Sequence, residues 1–171
     1  LLVDDEPSVI SSLKRSLIDE PYKIFTANSG IEGLGIIKEN TIKLVISDEK
    51  MPGMQGSEFL SVVKKLFPHT VRIMLTGHAS IEAAMNAVNN GEIYRFFTKP
   101  WNEIELKLAI RSAIEKYDLK AENRELLKTV KRQECELRQV EKLYPGITNL
   151  ERDEEGNLIL ADVSDSEGNL S

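Results

Sequence analysis

The chain has 171 residues, 41% hydrophobic and 29% charged, enough to build one globular core with an appendage. It holds no run of about 18 apolar residues that could cross a membrane, its single cysteine (Cys135) excludes an intrachain disulfide framework, and its two histidines show no zinc-site spacing. Residues 1–144 carry 21 acids and 21 bases while residues 145–171 carry seven acids and one base, so neither part has the basic excess expected of a direct nucleic-acid binder. The composition predicts a cytoplasmic protein. Residue 1 is Leu and already reads as strand, so a trimmed N-terminus is expected and a cleaved targeting segment stays open.

Short apolar runs at residues 1–3, 23–27, 43–47, 71–75 and 94–98 are rich in β-branched and aromatic residues, as buried strands are. Stretches of helical period lie between them. Pro7 suits the first turn of a helix, Phe59, Val63, Leu66 and Phe67 repeat with helical spacing, as do Ile81, Ala84, Met85 and Val88, and Gly91 suits a helix end. Five strand-helix units in succession predict an α/β doubly wound parallel sheet covered on both faces. From residue 102 to 144 there is no Pro or Gly, which predicts one long helix. Ile104, Leu108 and Ile114 read as its core-facing residues. Beyond residue 117 the spacing turns heptad, with Asn123, Val130, Leu137 and Tyr144 at a and Leu119, Leu126, Gln133 and Val140 at d. Cys135 then falls at f, facing water. Local pairs such as Glu134 with Arg138 support the alternative, a solvated single helix. After Pro145 and Gly146, residues 147–150 and 158–160 flank a turn-like DEEGN and predict a short hairpin.

In doubly wound sheets ligands bind beyond the C-terminal strand ends. Those ends here carry Asp4 and Asp5, Asp48, Thr76 and Lys99, whereas Asn28, Ser29 and Gly30 after the second strand read as an ordinary helix start. Singly each has a structural reading: a cap, a turn or a solvated lysine. Together they form an oxygen-rich rim suited to Mg2+, with a lysine and a hydroxyl that could neutralise and hydrogen-bond a phosphoryl group while a carboxylate attacks phosphorus.

The segments LLVDDEP, LVISDEKMPGMQG, IMLTGH and YRFFTKPW resemble, in order and spacing, the receiver domain of bacterial two-component response regulators. Over NNGEIYRFFTKPWN the chain further resembles receivers of hydrogenase regulators and of cyclic-di-GMP phosphodiesterases. The resemblance implies a flavodoxin-like five-stranded sheet of order 2-1-3-4-5 and a phosphoacceptor at Asp48. It implies that Asp4, Asp5, Asp48 and the Lys50 backbone carbonyl hold Mg2+, that Lys99 binds the phosphoryl group, and that Thr76 and Phe96 form the switch. The switch aromatic is often Tyr in that family, so here coupling has to rest on packing. Lys50 and His78 are expected to control water access and so the lifetime of the phosphorylated state, and a cis peptide is expected between Lys99 and Pro100.

The domains expected are a receiver over 1–116, a coiled-coil extension over 117–144 and an acidic tail over 145–171. The expected function is phosphoryl acceptance from a sensor histidine kinase or phosphotransfer protein by a homodimeric module that is no enzyme beyond its own phosphorylation and dephosphorylation. The alternatives are a phosphorylation-independent structural dimerisation module and a haloacid-dehalogenase-like phosphatase. The latter places its nucleophile in an Asp-x-Asp motif on the first strand, whereas Asp4 and Asp5 are adjacent.

Overall fold

In a computed structural model of the chain, residues 1–77, 81–89, 91–145, 151–152 and 158–159 are described. The elements run β1 (Leu2–Val3), α1 (Pro7–Ser16), β2 (Thr26–Ala27), α2 (Gly30–Glu39), β3 (Leu44–Asp48), α3 (Gly56–Leu66), β4 (Val71–Thr76), α4 (Ile81–Asn89), β5 (Arg95–Thr98) and α5 (Glu103–Leu143), then β6 (Glu151–Arg152) and β7 (Leu158–Ile159). The first five strands are all parallel, in the flavodoxin-like order β2-β1-β3-β4-β5. Two compact units are formed, Leu1–Ala121 and Glu122–Ser171.

Alternation along the strands builds two core layers in the first unit. Val3, Val45 and Met74 face Ile37 of α2, Phe59, Leu60 and Val63 of α3, and Ala84 and Ala87 of α4. Leu2, Leu44, Ile46, Ile73, Leu75 and Phe97 face Leu13 of α1 and Leu106, Ala109, Ile110 and Ala113 of α5. Both faces are therefore apolar, which is why β3 opens on the continuous apolar run of residues 44–46.

The predicted core faces of three helices need correction. Ile104 and Leu108 are 71% and 56% exposed, and the buried face of α5 is Leu106, Ala109, Ile110 and Ala113, with Ile114 at its margin. On α3, Leu66 is exposed and Leu60 buried; on α4, Met85 is exposed and Ala87 buried. In α4 and α5 the inward face includes alanines, which let the helix lie close on the sheet. A reading weighted toward large side chains picks the wrong stripe.

The caps follow the sequence more closely. Pro7 is in the first turn of α1, Ser29 caps α2 by accepting from Glu32 N–H, and the Glu32 carboxylate accepts from Asn28 N–H, so that segment is the ordinary helix start expected. Gly91 takes φ +66° just past α4. In the second unit β6 and β7 pair antiparallel, Glu151 opposite Ile159. The first strand of that hairpin lies at 151–152; the predicted residues 147–150 and the DEEGN turn lie outside the described residues, as does residue 160.

Candidate functional site

Three strand ends converge. β1 delivers Asp4, which is 1% exposed; β3 ends in Asp48, 5% exposed; and the residue after β5, Lys99, is tied by its backbone N–H to the Thr76 carbonyl of β4 at 2.8 Å. A cis Lys99–Pro100 peptide follows. The Lys99 ammonium lies between the two carboxylates, 2.9 Å from Asp4 Oδ2 and 2.5 Å from Asp48 Oδ1. Asp4 Oδ1 accepts from Glu6 N–H at 2.9 Å, and Asp48 Oδ2 accepts from Lys50 N–H at 2.7 Å. Each oxygen of the two acids is thus engaged, and the geometry of Asp48 is fixed from both sides.

The charges are uneven: two buried carboxylates share one ammonium. Burial raises the Asp4 carboxyl above the ordinary carboxylate value and the charge of Asp48 adds to the rise, against hydrogen bonds from Lys99 and Glu6 that lower it. Burial alone would lower the Lys99 ammonium, but the hydrogen bonds and charges of Asp48 and Asp4 outweigh it and hold the group above its usual value. Unit charges about 4 Å apart interact by about 4 kcal/mol at an effective dielectric near 20. A second cation here would meet an unbalanced anion.

The other predicted residues are placed as follows. Asp5 is half-buried beside Asp4, and Lys50 is exposed. Thr76 is fully buried at the end of β4, its hydroxyl donating to the Gly77 carbonyl at 3.1 Å. Phe96, opposite Met74 across β4 and β5, is half-buried against the layer containing α2, α3 and α4. His78 lies outside the described residues. Among the described residues no group of three or more His, Cys, Asp or Glu side chains gathers as a metal cluster.

Two residues given no role in the sequence reading shape this rim. Glu49 is 7% exposed, and its carboxylate accepts from both the backbone N–H and the hydroxyl of Ser57. Gly56 passes so close that a Cβ there would fall 2.0 Å from the Asp48 carbonyl oxygen, so a side chain is excluded. The DEKMPGMQG segment contains both, but only the folded loop shows what they touch.

A family model described as the response regulator receiver domain matches residues 1–111. The hydrogenase transcriptional regulatory protein HoxA of Cupriavidus necator is 33% identical over 71% of this chain and 25% of its own. The transcriptional regulatory protein GlrR of Escherichia coli is 39% identical over 67% of this chain and 26% of its own. A crystal structure of a response regulator receiver domain protein from Clostridium thermocellum superposes with a TM-score of 0.65 at 36% identity, covering 69% of this chain and 94% of that one. The chain spans about a quarter of the length of these curated relatives.

Proposed function

Because the chain belongs to the response regulator receiver domain family, we propose that it takes a phosphoryl group onto the Asp48 carboxylate from a sensor histidine kinase or phosphotransfer protein. The observation that carries this reading is the Lys99 ammonium held between Asp4 and Asp48 at the strand ends. An oxygen of Asp48 attacks phosphorus, the bond from phosphorus to the donor nitrogen breaks, and its electron pair stays on the donor imidazole, which takes a proton from solvent. Lys50 N–H and Lys99 aim the carboxylate, and Lys99 then faces the transferred group's negative charge. The Thr76 hydroxyl, bonded only to the neighbouring Gly77 carbonyl among the described residues, can turn toward that group. Phe96 lies in the same β4–β5 ladder, so a shift of Thr76 is passed on by packing.

The residues present fit Mg2+ by their chemistry: two buried carboxylates short of positive charge offer oxygen donors, to which half-buried Asp5 and the backbone carbonyl of Lys50 would add. Bound there, Mg2+ would neutralise charge developing on the phosphoryl oxygens. The wider reading is a cytoplasmic signalling module with a receiver over 1–116, a dimerising helix over 117–144 and an acidic tail. Exposed Lys50, with His78, governs water access. The test is incubation with a small phosphodonor and Mg2+ followed by intact mass. A gain of one phosphoryl group is expected, lost in Asp48→Ala and in EDTA; a gain that survives either change overturns the assignment.

A further inference from the structure

β3 ends at Asp48, and the chain must leave the sheet, turn and start α3 within a few residues. Glu49 organises that turn from every side. Its N–H donates to the Leu75 carbonyl at 2.9 Å, which extends the β3–β4 ladder by one bond, and its carbonyl accepts from Gly56 N–H at 2.9 Å. Its carboxylate reaches the same point: Oε2 accepts from Ser57 N–H at 2.8 Å and Oε1 from the Ser57 hydroxyl at 3.0 Å. Residues 50–55 are therefore a loop whose neck is closed by three hydrogen bonds between Glu49 and residues 56 and 57.

The chemistry of the neck explains how the Glu49 carboxylate, 7% exposed, is buried one residue from the buried acid Asp48. Among the described residues no cation pairs with it. Ser57 is the second residue of α3, where N–H groups lack helical partners and the helix presents its positive end, so the anion is compensated by the helix. The loop so closed is the one that brings Lys50 N–H to Asp48 Oδ2. It also carries the Lys50 carbonyl.

We propose that Glu49 is a positioning residue: acting through Ser57, it fixes the 50–55 loop so that Lys50 holds Asp48 with its N–H and presents its carbonyl for Mg2+. Glu49 touches neither the phosphoryl group nor the metal. The inference rests on the phosphorylation reading above and adds to it a determinant of Mg2+ affinity.

The test uses the full chain and two readouts, Mg2+ binding by calorimetry and the rate of phosphorylation by a small donor across Mg2+ concentrations. Removing an outer group that orients a metal site typically weakens metal binding by about tenfold or more, and that loss is expected for Glu49→Ala. At saturating Mg2+ its rate should return most of the way to wild type. Ser57→Ala, which keeps the N–H and loses the hydroxyl, should shift affinity in the same direction by less, and adding it to Glu49→Ala should change nothing further. Glu49→Gln, which keeps an acceptor for the N–H, should recover most of the affinity. Lowered thermal stability with unaltered Mg2+ affinity in Glu49→Ala would make Glu49 a plain helix cap and overturn the proposal, as would a Glu49→Gln variant no better than Glu49→Ala. Should Glu49→Ala fail to fold, unaltered affinity in Ser57→Ala overturns it. A wild-type chain that binds Mg2+ but gains no phosphoryl group refutes phosphorylation at Asp48, and the calorimetric series still decides the role of the loop.

Discussion

Asp4 is held as an anion at a cost. Its carboxyl is raised above the ordinary carboxylate value by burial, so the folded state takes up a proton at a higher pH than the unfolded chain does. Stability from this residue is therefore greatest at low pH and falls as pH rises through its raised value, the reverse of a salt-bridged surface acid. Lys99 has the opposite consequence for alkali. Its ammonium is raised by Asp48 and Asp4, so its contribution is complete below the ordinary lysine value and lost only as pH rises through the raised one. We predict that Asp4→Asn, in Mg2+-free buffer near neutral pH, leaves the unfolding free energy unchanged or raises it by about 1 kcal/mol, since a buried charge is removed while Lys99 keeps Asp48. Mg2+-induced stabilisation should vanish in the same variant. Thermal melts with and without Mg2+ check both, and an Asp4→Asn protein markedly less stable without Mg2+ would show that the Asp4–Lys99 pair is a net stabiliser. The placement of Asp4, Asp48, Thr76 and Lys99 at the strand ends was legible in the sequence because short apolar runs stop at them or one residue before them, and parallel strands bring such ends together. Glu49 and Gly56 could not. Their roles depend on a turn that returns the chain on itself, and nothing in the spacing of one acid, one glycine and one serine says that they meet.

The elements differ in how plainly their patterns are written. β3, β4 and β5 were legible because their apolar centres, residues 44–46, 73–75 and 96–97, supply side chains to both faces of the sheet, and α2 because Asn28, Ser29 and Gly30 read as a helix start, where Ser29 accepts from Glu32 N–H. β2 shortens to Thr26–Ala27, although the run from Lys23 promised more. α5 shows the harder case. Two apolar stripes run along its first turns, Ile104 with Leu108 and Leu106 with Ala109, Ile110 and Ala113, and helical period fits both. Packing chooses the second, because two alanines allow close approach to the Leu2, Ile73 and Phe97 face of the sheet. The choice has a measurable consequence. Leu106 is fully buried, so Leu106→Ala should cost about 3 kcal/mol in urea unfolding. Ile104→Ala and Leu108→Ala, both at exposed positions, should each stay within about 0.5 kcal/mol of wild type. Comparable losses at Ile104 and Leu106 would place the other stripe inward.

The whole molecule is decided by the second half of α5. Leu119, Leu126, Val130, Leu137, Val140 and Tyr144 are between 40% and 66% exposed in the single chain, and they are the apolar a and d positions of the heptad reading. Leu127 at e and Leu143 at g are exposed as well and widen the same stripe. Local ion pairs do little to support such a helix alone: Glu125 with Lys128 and Arg132 with Glu136 are solvent-exposed pairs, whose attraction water and salt largely screen. The expected pair of Glu134 with Arg138 is not among the ion pairs of the described residues. A helix of this length in water gains most of its stability by burying an apolar stripe. We propose a second copy of the same stripe as its occupant, because the spacing is 4, 3, 4, 3; Asn123 at a would then set a parallel register and Cys135, exposed in the single chain, would stay exposed at f. We predict a dimer at tens of micromolar by light scattering, as an order of magnitude for a seam of about four heptads. Leu126→Glu combined with Leu137→Glu should give a monomer with the far-ultraviolet signal of α5 reduced and the sheet domain intact. A monomer mass for the unaltered chain, or a dimer mass that survives the double substitution, would rule out this seam and leave the helix to a different partner.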